Sequence, residues 1–277
     1  MLQSVEDYLS GSRANALAAL DIGMNRHVTI WENNNDRVSY DNTQGHAFSL
    51  YLKGGDGTRR LDQGAIAGYP GAVCVFPEGH RSNWEIVSAH QFVHVYLPDG
   101  ELRAAFSHIH DRDARLLDLE EMTFSTNTSL ARPLMMAAQA ALENAPLLAD
   151  QALSELIRGL QSTPVRLRGG LTPYVLRQID EWINAELAEP IRLSDLAKLA
   201  DLSEFHFHRM FQASRGVSPH QWVTMLRIER AKSLLGQTSI AEVASACGFS
   251  NQSHLSRFFK RYTGLTPAGY AQKIRGS

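Results

Sequence analysis

The sequence is poor in features that define several large classes of protein. Only two cysteines, Cys74 and Cys247, occur in 277 residues, which excludes a disulfide framework and a cysteine zinc site and predicts two buried thiols. No apolar run approaches the roughly 18 residues that span a membrane, and the N-terminus carries acids where a secretory signal carries Lys or Arg. We therefore expect a cytoplasmic protein that makes no membrane contact.

Net charge is also small, but its distribution along the chain is uneven. The formal charge is −2, from 27 Lys+Arg and 29 Asp+Glu. Residues 1–165 carry 12 basic and 20 acidic side chains, whereas residues 166–277 carry 15 and 9. A basic half with clustered Lys and Arg favours contact with a polyanion, although an ordinary solvated surface would look similar by charge alone.

The acidic half has the pattern of strands followed by helices. Short β-rich runs separated by Gly, Asn, Asp and Pro predict an antiparallel sandwich or barrel, and apolar residues three and four apart after Pro133 predict two amphipathic helices within 133–160, the second with Pro146 in its first turn. The predicted strands lie in 27–31, 47–52, 72–76, 84–87 and 92–97.

Seven of the eleven histidines lie in the acidic half, so a metal site has to be weighed. His108 and His110 would fall on one side of a strand, and other histidines lie near strand ends. No carboxylate follows the pair at the spacing of a small-barrel metal enzyme, and histidines on strands are commonly hydrogen-bonded packing residues. We therefore predict no metal and no cofactor.

The basic half contains one unit twice. Residues 193–203 align with 240–250 at an offset of 47, and residues 207–211 and 216–219 align with 255–259 and 264–267 at an offset of 48. Each copy has the pattern of a helix, a tight turn and a second helix. This repeat predicts two helix-turn-helix motifs, whose second helices enter the DNA major groove, over the alternative of two purely structural hairpins.

The predicted helix ends differ between the copies. Ser239 with Glu242 forms a capping box, and Gly248 supplies the left-handed residue after the first helix of the second copy. Asp201 stands where the second copy has Gly248, and Arg192 stands where it has Ser239, so the helix ends of the first copy are less sharply defined. We predict that Ser250 caps the second recognition helix.

Helical spacing separates the buried side of each second helix from its exposed side. Phe207, Met210, Phe211 and Ser214 should face inward in the first copy, as should Leu255, Phe258, Phe259 and Tyr262 in the second. The exposed side chains are the predicted DNA-binding residues. They are Phe205, His208, Arg209 and Gln212 in the first copy, and Gln252, Ser253, Ser256, Arg257 and Lys260 in the second.

Individual members of this set allow more than one role. Arg209 and Arg257 occupy matching positions and either read guanine, hold phosphate or form an internal salt bridge, and Phe205 either contacts a thymine methyl or joins the core. Lys260, Arg261, Lys273 and Arg275 are predicted phosphate contacts. A helix of about 17 residues, 219–235, should join the copies and set them into successive major grooves.

At these residues the sequence resembles the AraC/XylS family of bacterial transcription regulators. The resemblance covers about 172–277 and rests on the Leu-x-x-Leu-Ala pattern at 193–197, the run from Ile240 to Phe249, Ser253 to Lys260, and Gly-Leu-Thr-Pro at 264–267. It implies a DNA-binding domain over 166–277 with seven helices, the first at 172–188. It also implies binding to double-stranded promoter DNA and contact with RNA polymerase, most often as an activator.

The first half resembles, in outline, the cupin-like domain that many members of this family carry, followed by dimerising helices. The likeness lies in 75–80 and 92–96, and it implies an effector-binding and dimerisation domain over 1–165 and a homodimer formed through 133–160. His80, Trp84, His94 and Tyr96 would then face a pocket for a small-molecule effector. Barrel-filling side chains are the alternative for these four residues.

Together these observations predict a two-domain α+β protein. Its N-terminal β-barrel or cupin-like domain is followed by helices, and its C-terminal domain is all-α with two helix-turn-helix motifs. We expect a transcriptional regulator that is modulated by a small molecule and is not an enzyme. Two alternatives remain: a regulator whose first domain binds no metabolite and serves only dimerisation or protein contact, and a metal-dependent cupin enzyme fused to a DNA-binding domain.

Overall fold

The structure, a computed structural model, describes residues 3–64, 67–161, 167 and 169–275. The chain forms two compact units, Met1–Leu102 with Leu119–Gln161 and Arg103–Asp118 with Ser162–Ser277. The predicted boundary between 165 and 166 lies outside the described residues. Within the described part of the chain, no helix is long and apolar enough to cross a bilayer.

The first unit contains two antiparallel sheets. Over its described residues, nine strands confirm the five predicted strand regions and add four, and one short helix, α1 (Val5–Ser10), precedes them. The strands are β1 (Asn15–Asp21), β2 (His27–Asn33), β3 (Asp36–Tyr40), β4 (His46–Lys53), β5 (Thr58–Arg60), β6 (Val73–Phe76), β7 (Ser82–Ile86), β8 (His90–Leu97) and β9 (Met122–Ser125). One sheet has the order β1-β2-β8-β4-β6-β9 and the other has the order β3-β7-β5.

The core of this unit lies between side chains of both sheets. Trp31, Tyr51 and Phe92 from the six-stranded sheet share one buried cluster with Val38 and Trp84 from the three-stranded sheet. Strands β4 and β8 can be recognised in the sequence because nearly all of their side chains are buried. Burial on both faces of these strands replaces alternation with continuous apolar runs.

Two helices follow β9 and confirm the predicted helical region. They are α3 (Thr128–Glu143) and α4 (Pro146–Arg158), and they pack against each other. The start of α3 differs from the expectation, because the helix begins five residues before the buried Pro133. The side chain of Asn127 caps it by accepting a hydrogen bond from the Leu130 amide at 3.2 Å. The apolar face of α3 packs on β1, β2, β4 and β8.

The second unit is helical and includes a segment from the middle of the chain. A helix α2 (Asp99–His110) follows β8, and its residues from Arg103 onward belong to the second unit together with a short 3₁₀ turn, Ala114–Leu116. Seven further helices lie between residues 169 and 275, as expected. They are α5 (Pro173–Ala185), α6 (Leu193–Leu199), α7 (Glu204–Arg215), α8 (Pro219–Leu234), α9 (Ile240–Ala246), α10 (Gln252–Thr263) and α11 (Pro267–Arg275).

The placement of His108 and His110 corrects a prediction. They lie on helix α2 and not on a strand, so residues two apart point about 200° away from each other around the helix axis. His108 packs against the Trp222 ring, with 5.8 Å between ring centroids, and His110 packs against Phe106 at 4.6 Å. Among the residues that the structure describes, no three His, Cys, Asp or Glu side chains are grouped to hold a metal ion.

Candidate nucleic-acid interface

The first helix-turn-helix motif consists of α6 and α7. Arg192 precedes α6 without a side-chain capping hydrogen bond, and Asp201 in the turn has a φ of 51°, in the left-handed region. Ser203 begins α7 by accepting a hydrogen bond from the His206 amide at 3.3 Å. These features confirm the weaker helix ends predicted for this copy, since Asp adopts the left-handed region at a greater cost than Gly.

The second motif consists of α9 and α10 and has the stronger helix ends. Ser239 and Glu242 form the predicted capping box, and Gly248 has a φ of 72°. The cap of α10 differs from the prediction: Asn251, and not Ser250, accepts a hydrogen bond from the His254 amide, at 2.8 Å. The residue that changes the repeat offset from 47 to 48 therefore lies in the turn before α10.

Gly248 also lies where the second motif approaches the loop before α6. A Cβ on Gly248 would lie 2.5 Å from the Leu187 carbonyl oxygen and 2.7 Å from the Arg227 guanidinium. Arg227 donates hydrogen bonds from Nε to the Leu187 carbonyl at 3.1 Å and from Nη2 to the Glu189 carbonyl at 2.8 Å. Burial lowers the pKa of Arg227. These hydrogen bonds join α8 to the loop before α6, and the turn at Gly248 has no room for a Cβ beside them.

Helix α8 is shared by the cores of both copies. Trp222, Val223 and Leu226 on its first half belong to the apolar cluster of the first copy. Ile228 and Ala231 on its second half belong to the separate cluster of the second copy. Because both ends are packed, the 16 residues of α8, about 24 Å long at 1.5 Å per residue, form a rigid spacer between the two recognition helices.

The predicted DNA-binding side of α7 is open to solvent. Phe207 and Phe211 are fully buried, whereas Arg209 is exposed and Phe205 is 77% exposed, which excludes a core position for Phe205. His208 is half-buried and Gln212 is exposed. Arg209 has no carboxylate partner among the described residues, so the internal salt bridge is also excluded there.

Helix α10 repeats this arrangement. Leu255 and Phe259 are fully buried, while Gln252, Ser253, Arg257 and Lys260 are exposed and Ser256 is half-buried. The Arg257 guanidinium lies 5.2 Å from the centroid of the Phe258 ring, a cation–π contact that orients it while leaving its donors free of any carboxylate in the described part of the chain. Both recognition helices thus present one arginine at the matching position.

The remaining predicted phosphate contacts lie on α10 and α11. Arg261 and Lys273 are exposed, and Arg275 donates a hydrogen bond to the Gly236 carbonyl at 3.2 Å. The charge difference between the two units is the same when residues 103–118 are counted with the second unit. That segment carries three arginines and three aspartates, so the two units keep the formal charges −8 and +6 that the division after residue 165 produces.

Sequence reasoning missed a cleft between the two motifs. It has a volume of about 580 Å³ and is bordered by both recognition helices, the first half of α8 and the Gly248 turn. His220 is exposed and His254 is half-buried, and the two histidines are far apart in sequence. Helical spacing on the recognition helices could not indicate them. His220 lies on α8, and His254 lies outside the exposed side of α10. The polar side chains of the cleft include His208, His220, Arg227, Ser250 and His254.

The four residues predicted to face an effector pocket are buried among other side chains. His94 Nδ1 and the Trp31 indole N–H each lie 2.9 Å from the Tyr96 hydroxyl, and burial lowers the pKa of His94 to about 3. The Trp84 indole N–H donates to the Ser82 hydroxyl at 2.6 Å, and His80 Nε2 lies 2.7 Å from the same oxygen.

One cavity in this first unit, beside two of these four residues, is small. Trp84 and His94 border it, and its volume is about 30 Å³. Small-molecule sites usually measure about 300–1,000 Å³, whereas a water needs only about 10–15 Å³. The cavity therefore has room for water and not for a metabolite while the surrounding side chains keep these positions.

Comparison with known proteins places the similarity in the second unit. Residues 196–273 match a family model described as a helix-turn-helix domain. The probable transcriptional regulator LumQ of Photobacterium leiognathi is 36% identical over 99 residues, which are 35% of this chain and 40% of LumQ. The HTH-type transcriptional regulator GbdR of Pseudomonas aeruginosa is 38% identical over 109 residues, 39% of this chain and 30% of GbdR. The matches thus span less than half the length of these relatives.

Two further matches differ in kind. The bifunctional transcriptional activator/DNA repair enzyme AdaA of Bacillus subtilis is 32% identical over 96 residues, 34% of this chain and 46% of AdaA. Among solved structures, the DNA-binding domain of AdpA in complex with a target DNA has 33% sequence identity and a TM-score of 0.35, and covers 36% of this chain and 93% of that one.

Proposed function

This chain belongs to the AraC/XylS family through its double helix-turn-helix unit, and on that basis we propose that it regulates transcription by binding a specific promoter sequence. Helices α7 and α10 would each enter a major groove. One observation carries this proposal. Arg209 and Arg257 occupy matching positions on two capped helices, and each is exposed and has no carboxylate partner among the described residues. Arginine forms bidentate hydrogen bonds with guanine in that groove.

The geometry of α8 supports reading by a single chain. Successive major grooves on one face of DNA are about 34 Å apart, and a packed helix of about 24 Å separates the two motifs. The two recognition helices differ in sequence, so the two half-elements of the site should differ too. The positive charge of the second unit supplies the sequence-independent part of the affinity through phosphate contacts.

Selection of the full chain on random duplex DNA tests the proposal. We expect recovery of a site with two unlike half-elements, about 10–10.5 base pairs between their centres. A library that keeps its starting composition after several rounds would overturn the proposal. The AdaA match shows that such a domain also occurs beside an enzyme, so metal analysis of the purified chain tests the enzyme alternative separately.

Homodimerisation through 133–160 remains part of the proposal in a restricted form. One face of α3 packs on the sheet and another side of the helix contacts α4, so only its outer surface can meet a second copy. Met135 and Leu142 on that surface are 51% and 68% exposed. Light scattering of the full chain at micromolar concentration should give a dimer, and Leu142→Asp should give a monomer. A monomeric wild-type chain would contradict this assignment.

Two functions remain for the first unit, binding of a small-molecule effector and protein contact alone, including contact with RNA polymerase. The small volume of the cavity that Trp84 and His94 border favours protein contact. An effector site within this cavity would require the Trp84 and His94 side chains to move. A thermal-shift screen against metabolites separates the two, because a ligand at 100 times its Kd should add about 2.7 kcal/mol of stability. A reporter gene fused to the target promoter, measured with and without this protein, distinguishes activation from repression.

A further inference from the structure

The cleft between the two motifs has a composition that selects for anions. It is bordered by three imidazoles, the Arg227 guanidinium and several hydroxyl groups, and among the described residues no carboxylate borders it. Its apolar wall comes from side chains that a sugar ring can contact. The apolar members include Ile191, Leu193, Val223 and Phe249.

The position of the cleft connects it with the recognition surface. His208 borders the cleft and also lies on the exposed side of α7. His254 comes from the first turn of α10, so the cleft extends from one recognition helix to the other. When both helices occupy successive major grooves, the minor groove between these grooves and the two sugar-phosphate strands that border it lie between the helices.

We propose that this cleft receives the DNA sugar-phosphate backbone between the two half-elements, and that His220 and His254 bind its phosphates in their protonated form. The proposal rests on the proposed function and adds a contact that neither recognition helix supplies by base reading. Each protonated imidazole acts as a charged donor to a phosphate oxygen. Binding then takes up protons, so affinity should increase as the pH falls.

The surroundings of His254 support this linkage. Its Nδ1 lies 3.1 Å from the Ser250 hydroxyl, and its ring packs edge-on against Phe249 and Phe258. Burial, followed by the positive charges of Arg257, Arg227 and His220, lowers the pKa of His254 in the free protein. A phosphate in the cleft would offset those charges, so the imidazole would gain its proton on DNA binding.

Binding of the full chain to its selected site, measured against salt at pH 6 and pH 8, tests the proposal. Each phosphate contact contributes about 0.9 to the slope of log K against log salt. We expect a wild-type slope steeper by about 1 to 2 at pH 6 than at pH 8, and a pH-independent slope for the His220→Gln/His254→Gln double variant. The matched control is His206→Gln, because His206 stands at the position of His254 in the first copy and does not border the cleft.

Two further measurements distinguish phosphate binding by the cleft histidines from other causes of pH dependence. Because His254 packs against aromatic rings, the exposed His220→Gln variant is also measured alone and should remove about half of the slope difference. Neutral methylphosphonate linkages between the half-elements should abolish the pH dependence of the wild type. If pH dependence persists there, the cleft takes a free anion and the proposal is wrong. An equal pH dependence in the wild type and the double variant also overturns it, whereas absence of specific binding at both pH values overturns the proposed function itself.

Discussion

Substitution of the buried Arg215 by methionine should lower the free energy of unfolding of the second unit by more than substitution of an exposed residue does. Arg215 is 1% exposed at the end of α7 and pairs with Asp180 of α5. Its guanidinium also donates to the Ser107 hydroxyl on α2 at 2.9 Å and lies 4.6 Å from the centroid of the Trp222 ring on α8. One side chain therefore joins four helices, including the segment from the middle of the chain.

The expected magnitude follows from the charge that remains. Removing one partner of a buried ion pair costs about 3–5 kcal/mol, because the other charge loses its compensation. Asp180 keeps one hydrogen bond, from the Trp222 indole N–H at 2.9 Å. Arg215→Met combined with Asp180→Asn removes both charges and keeps this acceptor, so the double variant should lie within about 2 kcal/mol of the wild type.

The effect should depend on pH in a defined direction. Burial raises the pKa of Asp180, and the Arg215 guanidinium partly opposes that rise. Without Arg215 the folded-state pKa rises further, so the folded chain holds a proton that the unfolded chain has already lost. Stability of the variant therefore falls as the pH increases from about 4 through the raised pKa, and the loss measured at pH 7 should be smaller at pH 5.

Urea unfolding followed by far-UV circular dichroism measures these differences in the full chain. Arg209→Met is the matched control, because it removes an exposed guanidinium from the same helix and should change stability by no more than about 0.5 kcal/mol. A loss below about 1 kcal/mol for Arg215→Met, or a double variant less stable than the single one, would refute the role assigned to this ion pair.

Two other predictions concern the motifs themselves. Arg209→Ala and Arg257→Ala should each relax specificity at a different half-element, costing about 1–3 kcal/mol there, whereas equal weakening on all sequences would assign them to phosphate; Arg132→Ala in the first unit is the control for lost charge. Gly248→Ala should destabilise the chain by more than Gly236→Ala, measured by thermal unfolding. Both glycines have positive φ, but only at Gly248 would the Cβ meet a carbonyl oxygen, and equal losses would contradict this steric argument.

The second unit is the part of the fold that local sequence signals describe best. The capping box of Ser239 and Glu242, the left-handed turn residues at 201 and 248, and the three- and four-residue spacing of the aromatic side chains are confirmed. Such signals act within one or two helical turns, so they can be recognised without knowing what packs against them. The predicted cap of α10, Ser250, was wrong by one residue, because the extra residue of the second copy lies in the turn before Asn251.

The first unit shows where such signals fail. Strand β1 has the sequence Asn-Ala-Leu-Ala-Ala-Leu-Asp, whose alanines and leucines favour a helix. It is a strand because it pairs with β2 along the edge of the sheet. Strands β5 and β9, of three and four residues, are too short for a period to be visible. Pairing with a partner strand overrides weak local preference.

By itself the sequence determined the double helix-turn-helix unit, the inward and outward faces of α7 and α10, and the division of charge, because each depends on spacing along one helix or on composition. Only the tertiary structure decided three other features. Residues 103–118 join the second unit because the buried Arg215 binds Ser107, a partner 108 positions away. Aromatic rings from both sheets pack into one buried cluster in the first unit. His220 and His254 border one cleft because α8 and α10 pack together, and no pattern along the chain records which distant residues share a cleft.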